Sequence, residues 1–168
     1  DKENGILRLF YPPFDDSDRY SGYICDYPPG IRENGGQYTH GAIWGAMGFF
    51  HAGMNDTAYN VLKIVNPLVR YESKHLAEKY KGESYVLAAD IYDNSYSRAR
   101  CGWTWYTASA SWYFVAVLEG LLGYEENDGK ISAHPRYCKD FSHFKLTVKK
   151  NSKIITVTGK KGHETKIT

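Results

Sequence analysis

The chain has 168 residues, 42% of them hydrophobic, which is enough to bury a core and too apolar for a disordered segment. A net charge of +2 argues against a dedicated nucleic-acid binder, and no apolar run of about 18 residues offers a membrane-spanning helix. Three cysteines, Cys25, Cys101 and Cys138, are odd in number and lack metal-ligand spacing, which points to a reducing, cytoplasmic compartment with neither disulfides nor a metal centre.

In chain order, residues 6–10 (ILRLF) read as a short strand or a helix end, stopped by the prolines of YPPF. Residues 15–36 are dense in Asp, Ser, Pro and Gly and read as a long irregular loop, a length usually reserved for function. A helix is expected over 37–52, with Gly41, Gly45, Gly48 and Ala52 forming a smooth face for tight helix packing. A second helix is expected over 56–65 with Asp56 as its N-cap, ended by Asn66-Pro67. A short polar helix follows over 72–81. The apolar run 84–92 is ambiguous, and a second irregular loop covers 93–102. A further helix is expected over 109–122, stopped by Gly123. The period then changes to that of strands, in KISA, FKLTVKK and KIITVTG, with NDG and KNSK as turns. Seven lysines between Lys145 and Lys166 alternate with β-branched residues and read as the solvated face of those strands.

Two junctions carry the chemistry. The first, IRENGGQYTHGAIW at 31–44, sets Arg32, Glu33, Gly35, Gly36 and His40 at a helix start. The second, RCGWTWYTASASW at 100–112, sets Arg100, Gly102, Trp103, Thr104, Thr107 and Ser109 at another. Free N–H groups and the positive end of the helix dipole make such junctions anion sites. Two readings stay open on the residues alone. Facing each other, the two junctions cradle an inorganic phosphate; otherwise these are capping residues and His40 is a half-buried, satisfied histidine. Aromatics at 15% suit either sugar stacking or a bulky helical core. Zinc spacing, a phosphate-binding loop, a dinucleotide fingerprint and a nucleophile elbow are all missing from the sequence.

YPPGIRENGGQYTHGAIW (27–44), YVLAADIY (85–92) and GWTWYTASASW (102–112), in this order, resemble the C-terminal part of one enzyme family. It comprises the cellobiose and chitobiose phosphorylases and the phosphorylase-like domain of cyclic β-1,2-glucan synthases, glycoside hydrolase family ninety-four. The wording of the first motif is nearer the glucan-synthase branch. The resemblance implies a mainly α fold: part of an (α/α)6 barrel built of helical hairpins over 1–125, followed by an incomplete, small antiparallel β-sandwich tail over 126–168. It implies phosphorolysis with inversion, in which phosphate takes the place of the water of an inverting glycosidase and one carboxylic acid suffices.

The residues carried over are His40 and Thr107, with Ala108 beside them, for phosphate, and Arg32 and Glu33 along the acceptor sugar. Tyr27, Gln37 and Trp103 are assigned to the same sugar side. Inorganic phosphate is a co-substrate and no cofactor is implied. Two departures stand out. Ala108 and Cys101 replace glycines of the family, and the family's Asp-Trp-Asn-Asp general-acid element is absent from the 168 residues. The sequence, which opens at Asp1, is therefore expected to be a processed, trimmed or partial chain that meets oligosaccharide and phosphate together with the remaining N-terminal part, or self-associates. The alternative is a non-catalytic carbohydrate-binding or partner-binding protein descended from the family.

Overall fold

The fold is given by a computed structural model that describes residues 1, 3–15, 22–105 and 107–168, with only the backbone described at Thr107. Among the described residues four α-helices come first and an antiparallel β tail follows.

Helix α1 (Thr39–His51) and helix α2 (Asn55–Val65) form a hairpin. Ile43, Ala46 and Phe50 on α1 meet Ala58, Val61, Leu62 and Val65 on α2, both sets recurring at helical spacing and all buried. At α2's end Asn66 is extended ahead of Pro67, as a residue before proline must be, and its side chain accepts the Leu68 N–H at 3.0 Å to open a 3-10 turn over Pro67–Tyr71. Helix α3 (Lys74–Tyr80) starts where the Ser73 hydroxyl accepts the Leu76 N–H.

Helix α4 (Thr107–Val115) continues as a π-type stretch over Ala116–Leu121 and runs parallel to α1. Trp112 lies against His40 and Trp44, while Gly120 further along lies against Met47 and Phe50. A methyl at Gly120 would come within 2.8 Å of the Met47 sulfur, so the glycine sets how closely these helices approach. Both helices therefore begin at the same end of the layer. Gly123, at φ +59°, stops the second of them.

In the tail, strands β3 (Tyr124–Asn127) and β4 (Lys130–Ala133) form one hairpin, and β5 (His143–Lys150) and β6 (Lys153–Lys160) another, with β7 (Lys166–Ile167) on β6. Both hairpins turn in two residues with positive φ, Asp128-Gly129 and Asn151-Ser152, whose twist matches the flanking strands. Arg136 donates its N–H to the Leu121 carbonyl, and Phe141 stacks on Tyr59 at 6.2 Å, which seats the tail on the helices. All seven lysines lie exposed, as the strand alternation implies.

Several expectations need correction. Residues 6–10 form neither strand nor helix: Leu9 exchanges backbone hydrogen bonds with Gly35 and Gly36 of a loop, which offers no ladder to extend. Residues 37–38 belong to a two-residue strand, so the first helix begins at Thr39. Met54, not Asp56, precedes α2; the Asp56 carboxylate accepts the Lys139 N–H at 2.8 Å in the tail instead. The Gly45, Gly48 and Ala52 face is exposed, because Ile43, Ala46 and Phe50 take the core side. The run 84–92 contributes only strand β2 (Asp90–Ile91). Strands β3 and β7 carry no strand signal in the sequence, since YEEN lacks alternating apolar residues and the last strand has two residues.

Candidate functional site

The three motifs meet through the backbone. Strand β1 (Gln37–Tyr38) pairs antiparallel with β2, Gln37 opposite Ile91 and Tyr38 opposite Asp90. On the other side of β2 the second loop closes in, with Gly102 N–H donating to the Asp90 carbonyl at 2.8 Å and Ala89 N–H to the Trp103 carbonyl at 2.6 Å. Residues 37–39, 89–91 and 101–103 thus lie side by side. This small ladder delivers the starts of α1 and α4 to one place.

The first loop is fixed from within. Asn34 is fully buried; its amide donates to the carbonyls of Tyr27 at 2.7 Å and Phe14 at 3.0 Å, and its oxygen accepts the Phe14 N–H. Gly35 sits at φ +85°, and a methyl on Gly36 would press within 2.9 Å of the Gly30 and Arg32 carbonyl oxygens. Both glycines are thus needed by the loop itself, whatever ligand approaches it.

Arg32 occupies the left-handed region at φ +46°, a strain of order 1–3 kcal/mol that clusters at ligand clamps. Its guanidinium lies 4.2 Å over the Trp103 ring and 5.5 Å over the Tyr27 ring. Trp103 is 63% exposed, so its ring remains available as a flat apolar platform beside a cation. Glu33 brings a carboxylate whose Oε2 is buried without a hydrogen-bond partner. Gln37, by contrast, is 1% exposed and committed: its oxygen accepts the Leu7 N–H at 3.1 Å and its amide faces Thr39 Oγ1 at 3.5 Å. It fixes the floor of the site and presents nothing outward.

His40 lies in the first turn of α1, stacked on Tyr38 at 6.2 Å, edge-on to Trp44 at 4.8 Å, and beside Trp112 at 6.0 Å. Its Nε2 is buried and has no hydrogen-bond partner. Ser109, three residues before Trp112 on the α1-facing side of α4, is fully buried with its hydroxyl equally unpartnered. Two polar atoms without partners at two adjoining helix starts each forgo about 1–3 kcal/mol unless something else satisfies them. Thr107 opens α4, but its side chain lies outside the described residues; Ala108 is exposed at the same turn.

Sequence reading missed Asp90. It is 2% exposed, sits 3.9 Å from Arg32 Nε through Oδ2, and has an unpartnered Oδ1. Burial raises its pKa above the usual carboxylate value; Arg32 and the Trp103 N–H oppose that shift and Glu33 adds to it. The available signal was a lone charge inside the apolar run YVLAADIY. Among the described residues no cluster of His, Cys, Asp or Glu has the arrangement of a metal site, and no helix is long and apolar enough to cross a membrane.

A family model for the Glycosyl hydrolase 94 superfamily, catalytic domain, matches residues 1–123. The chain is 40% identical over 151 residues to cyclic beta-(1,2)-glucan synthase NdvB of Rhizobium meliloti, covering 90% of the chain and 5% of that protein. It is 24% identical over 143 residues to N,N'-diacetylchitobiose phosphorylase of Vibrio proteolyticus, covering 84% of the chain and 17% of the enzyme. Against solabiose phosphorylase of Paenibacillus borealis identity is 25% over 164 residues, 95% of the chain and 21% of the enzyme. The chain therefore spans 5% to 21% of the length of these relatives.

Proposed function

The chain belongs to the Glycosyl hydrolase 94 superfamily, and on that premise we propose that it forms the phosphate and acceptor-sugar side of an inverting glycoside phosphorylase or β-1,2-glucan synthase site, within a larger (α/α)6 barrel. The observation that carries this reading is His40: an unpartnered, buried Nε2 in the first turn of α1, next to the start of α4. There His40, Thr107 and the Ala108 N–H hold inorganic phosphate, and the two helix dipoles favour its charge. Arg32, Tyr27 and Trp103 hold the acceptor sugar by stacking, Glu33 accepts a sugar hydroxyl, and Gln37 keeps the floor in register.

In phosphorolysis a phosphate oxygen bonds to the anomeric carbon from one face while the glycosidic oxygen leaves from the other, taking a proton from a carboxylic acid. In synthesis the same steps run backwards. These residues bind and orient; the acid comes from a part of the barrel outside this sequence. No metal or organic cofactor enters this scheme. Exposed apolar side chains on the two helices, Trp44 and Phe114 among them, support association with further barrel helices, or self-association where these are lacking. Three unpaired cysteines support a cytoplasmic setting.

The two sides of the pocket are separable. Glu33→Gln is expected to leave inorganic phosphate affinity intact or improve it, by removing a nearby negative charge. It should weaken sophorose, the β-1,2-linked disaccharide, by about tenfold, the weight of one hydrogen bond to a charged group. Calorimetric titration of both ligands checks this. Unchanged sophorose affinity, or a parallel loss of both ligands, contradicts the division.

A further inference from the structure

Asp90 is poorly explained as a structural residue. Its carboxylate lies 3.9 Å from Arg32 Nε, while Oδ1 is buried without a hydrogen-bond partner. A methyl at Gly102 would overlap the carboxylate outright, so the second loop is left bare where the charge sits. Among the described residues the groups facing it are Arg32 and Glu33 from the first loop, Tyr38 across the ladder, Tyr92 on its own segment and Cys101 from the second loop.

With its folded-state pKa raised chiefly by burial, Asp90 contributes most to stability below its unfolded pKa, and that contribution is lost as pH rises through the folded value. At neutral pH the ionised group therefore works against folding. An asparagine would fill the same place at no such cost, so the charge has another use. Among the described residues the cation beside it is Arg32, held in a left-handed backbone with its guanidinium over two aromatic rings.

We propose that Asp90 is the positioning residue of the sugar side: its carboxylate holds the Arg32 guanidinium over Trp103 and Tyr27 and ties the second loop to the first, so that saccharide binding follows the ionisation of Asp90. This rests on the sugar-binding reading above. Arg32 presents its face to a hydroxyl-rich ring only while Asp90 is charged. Protonation releases it.

The test uses the full chain, its Asp90→Asn variant, and Gly102→Ala, which keeps the charge but displaces the carboxylate. Sophorose and inorganic phosphate are titrated calorimetrically from about pH 4, the ordinary aspartate range, upward to about pH 8. Thermal unfolding and the Arg32 Nε–H resonance are recorded alongside. Wild-type sophorose affinity should fall as pH drops. Asp90→Asn should weaken sophorose about tenfold or more, flatten that pH profile, spare phosphate, and keep or raise the Tm. Both variants should lose the sharp Arg32 Nε–H signal.

Wild-type binding and pH profile in Asp90→Asn overturn the proposal. So does a variant that unfolds, or that loses Tm, phosphate and sophorose together, since that is a structural role. If the wild-type chain binds no sophorose at all, the sugar reading fails instead, and the Arg32 resonance decides Asp90 alone: indifference to Asp90→Asn overturns the positioning role, and loss of the signal upholds it.

Discussion

Given sophorose and inorganic phosphate, these 168 residues alone are expected to release no glucose 1-phosphate at a phosphorylase-like rate. Intact enzymes turn over at about 10 per second in the median case, and loss of a general acid removes about 10²–10⁴ of that. No residue of the proposed pocket takes the acid's place. Among the described residues Glu33 and Asp90 are the carboxylates near the sugar side; Asp90 lies against Arg32, and Glu33 is assigned to the acceptor sugar. A subsite for the donor glucose, which the same reading assigns to the rest of the barrel, lowers the rate further by its absence. Supplying that remainder as a second polypeptide should restore turnover. Glucose 1-phosphate formation by the chain alone, at an ordinary enzymatic rate, would refute the division of labour.

His40→Ala should weaken inorganic phosphate by about tenfold to a hundredfold, because a hydrogen bond to a charged group is worth about 1.5–3 kcal/mol. Alanine also deletes a ring that packs against Tyr38, Trp44 and Trp112, so the loss has two components. His40→Phe separates them. It keeps an aromatic ring among the other three and removes Nε2, so phosphate should weaken as in His40→Ala while the Tm stays near that of the wild type. Phosphate affinity retained in His40→Phe would return His40 to a packing role.

The local elements were legible wherever the pattern and the partner lay close in sequence. Helix α2 declares itself by Ala58, Val61, Leu62 and Val65, and its stop by Asn66-Pro67. Both tail hairpins follow from two-residue turns. What could not be read depends on distant partners. Which face of α1 turns inward is decided by α2 and α4, and the glycines lost to Ile43, Ala46 and Phe50 because larger apolar side chains gain more by burial. Asp56 looks like a cap until Lys139, far along the chain, supplies its donor.

In the site, the resemblance pointed to His40, Arg32, Glu33, Tyr27 and Trp103, and the ladder through Asp90 explains how motifs so far apart converge. The Arg32 guanidinium lies over both the Trp103 and the Tyr27 ring. Gln37 is assigned to the sugar side by the resemblance, and its buried amide, bonded to Leu7 and facing Thr39, serves the fold first. Asp90 escaped because periodicity treats a charge in an apolar run as noise. Only its neighbours show why it is there.

The reading turns on whether the two helix starts make one oxyanion pocket. A crystal structure of the chain grown with phosphate measures that directly. The expected result is a single phosphate with the His40 imidazole nitrogen, the Thr107 hydroxyl and the Ala108 N–H all at about 2.7–3.2 Å from its oxygens. A structure in which His40 and Thr107 stand too far apart to touch one ion, or in which phosphate binds elsewhere and leaves His40 unliganded, would contradict it.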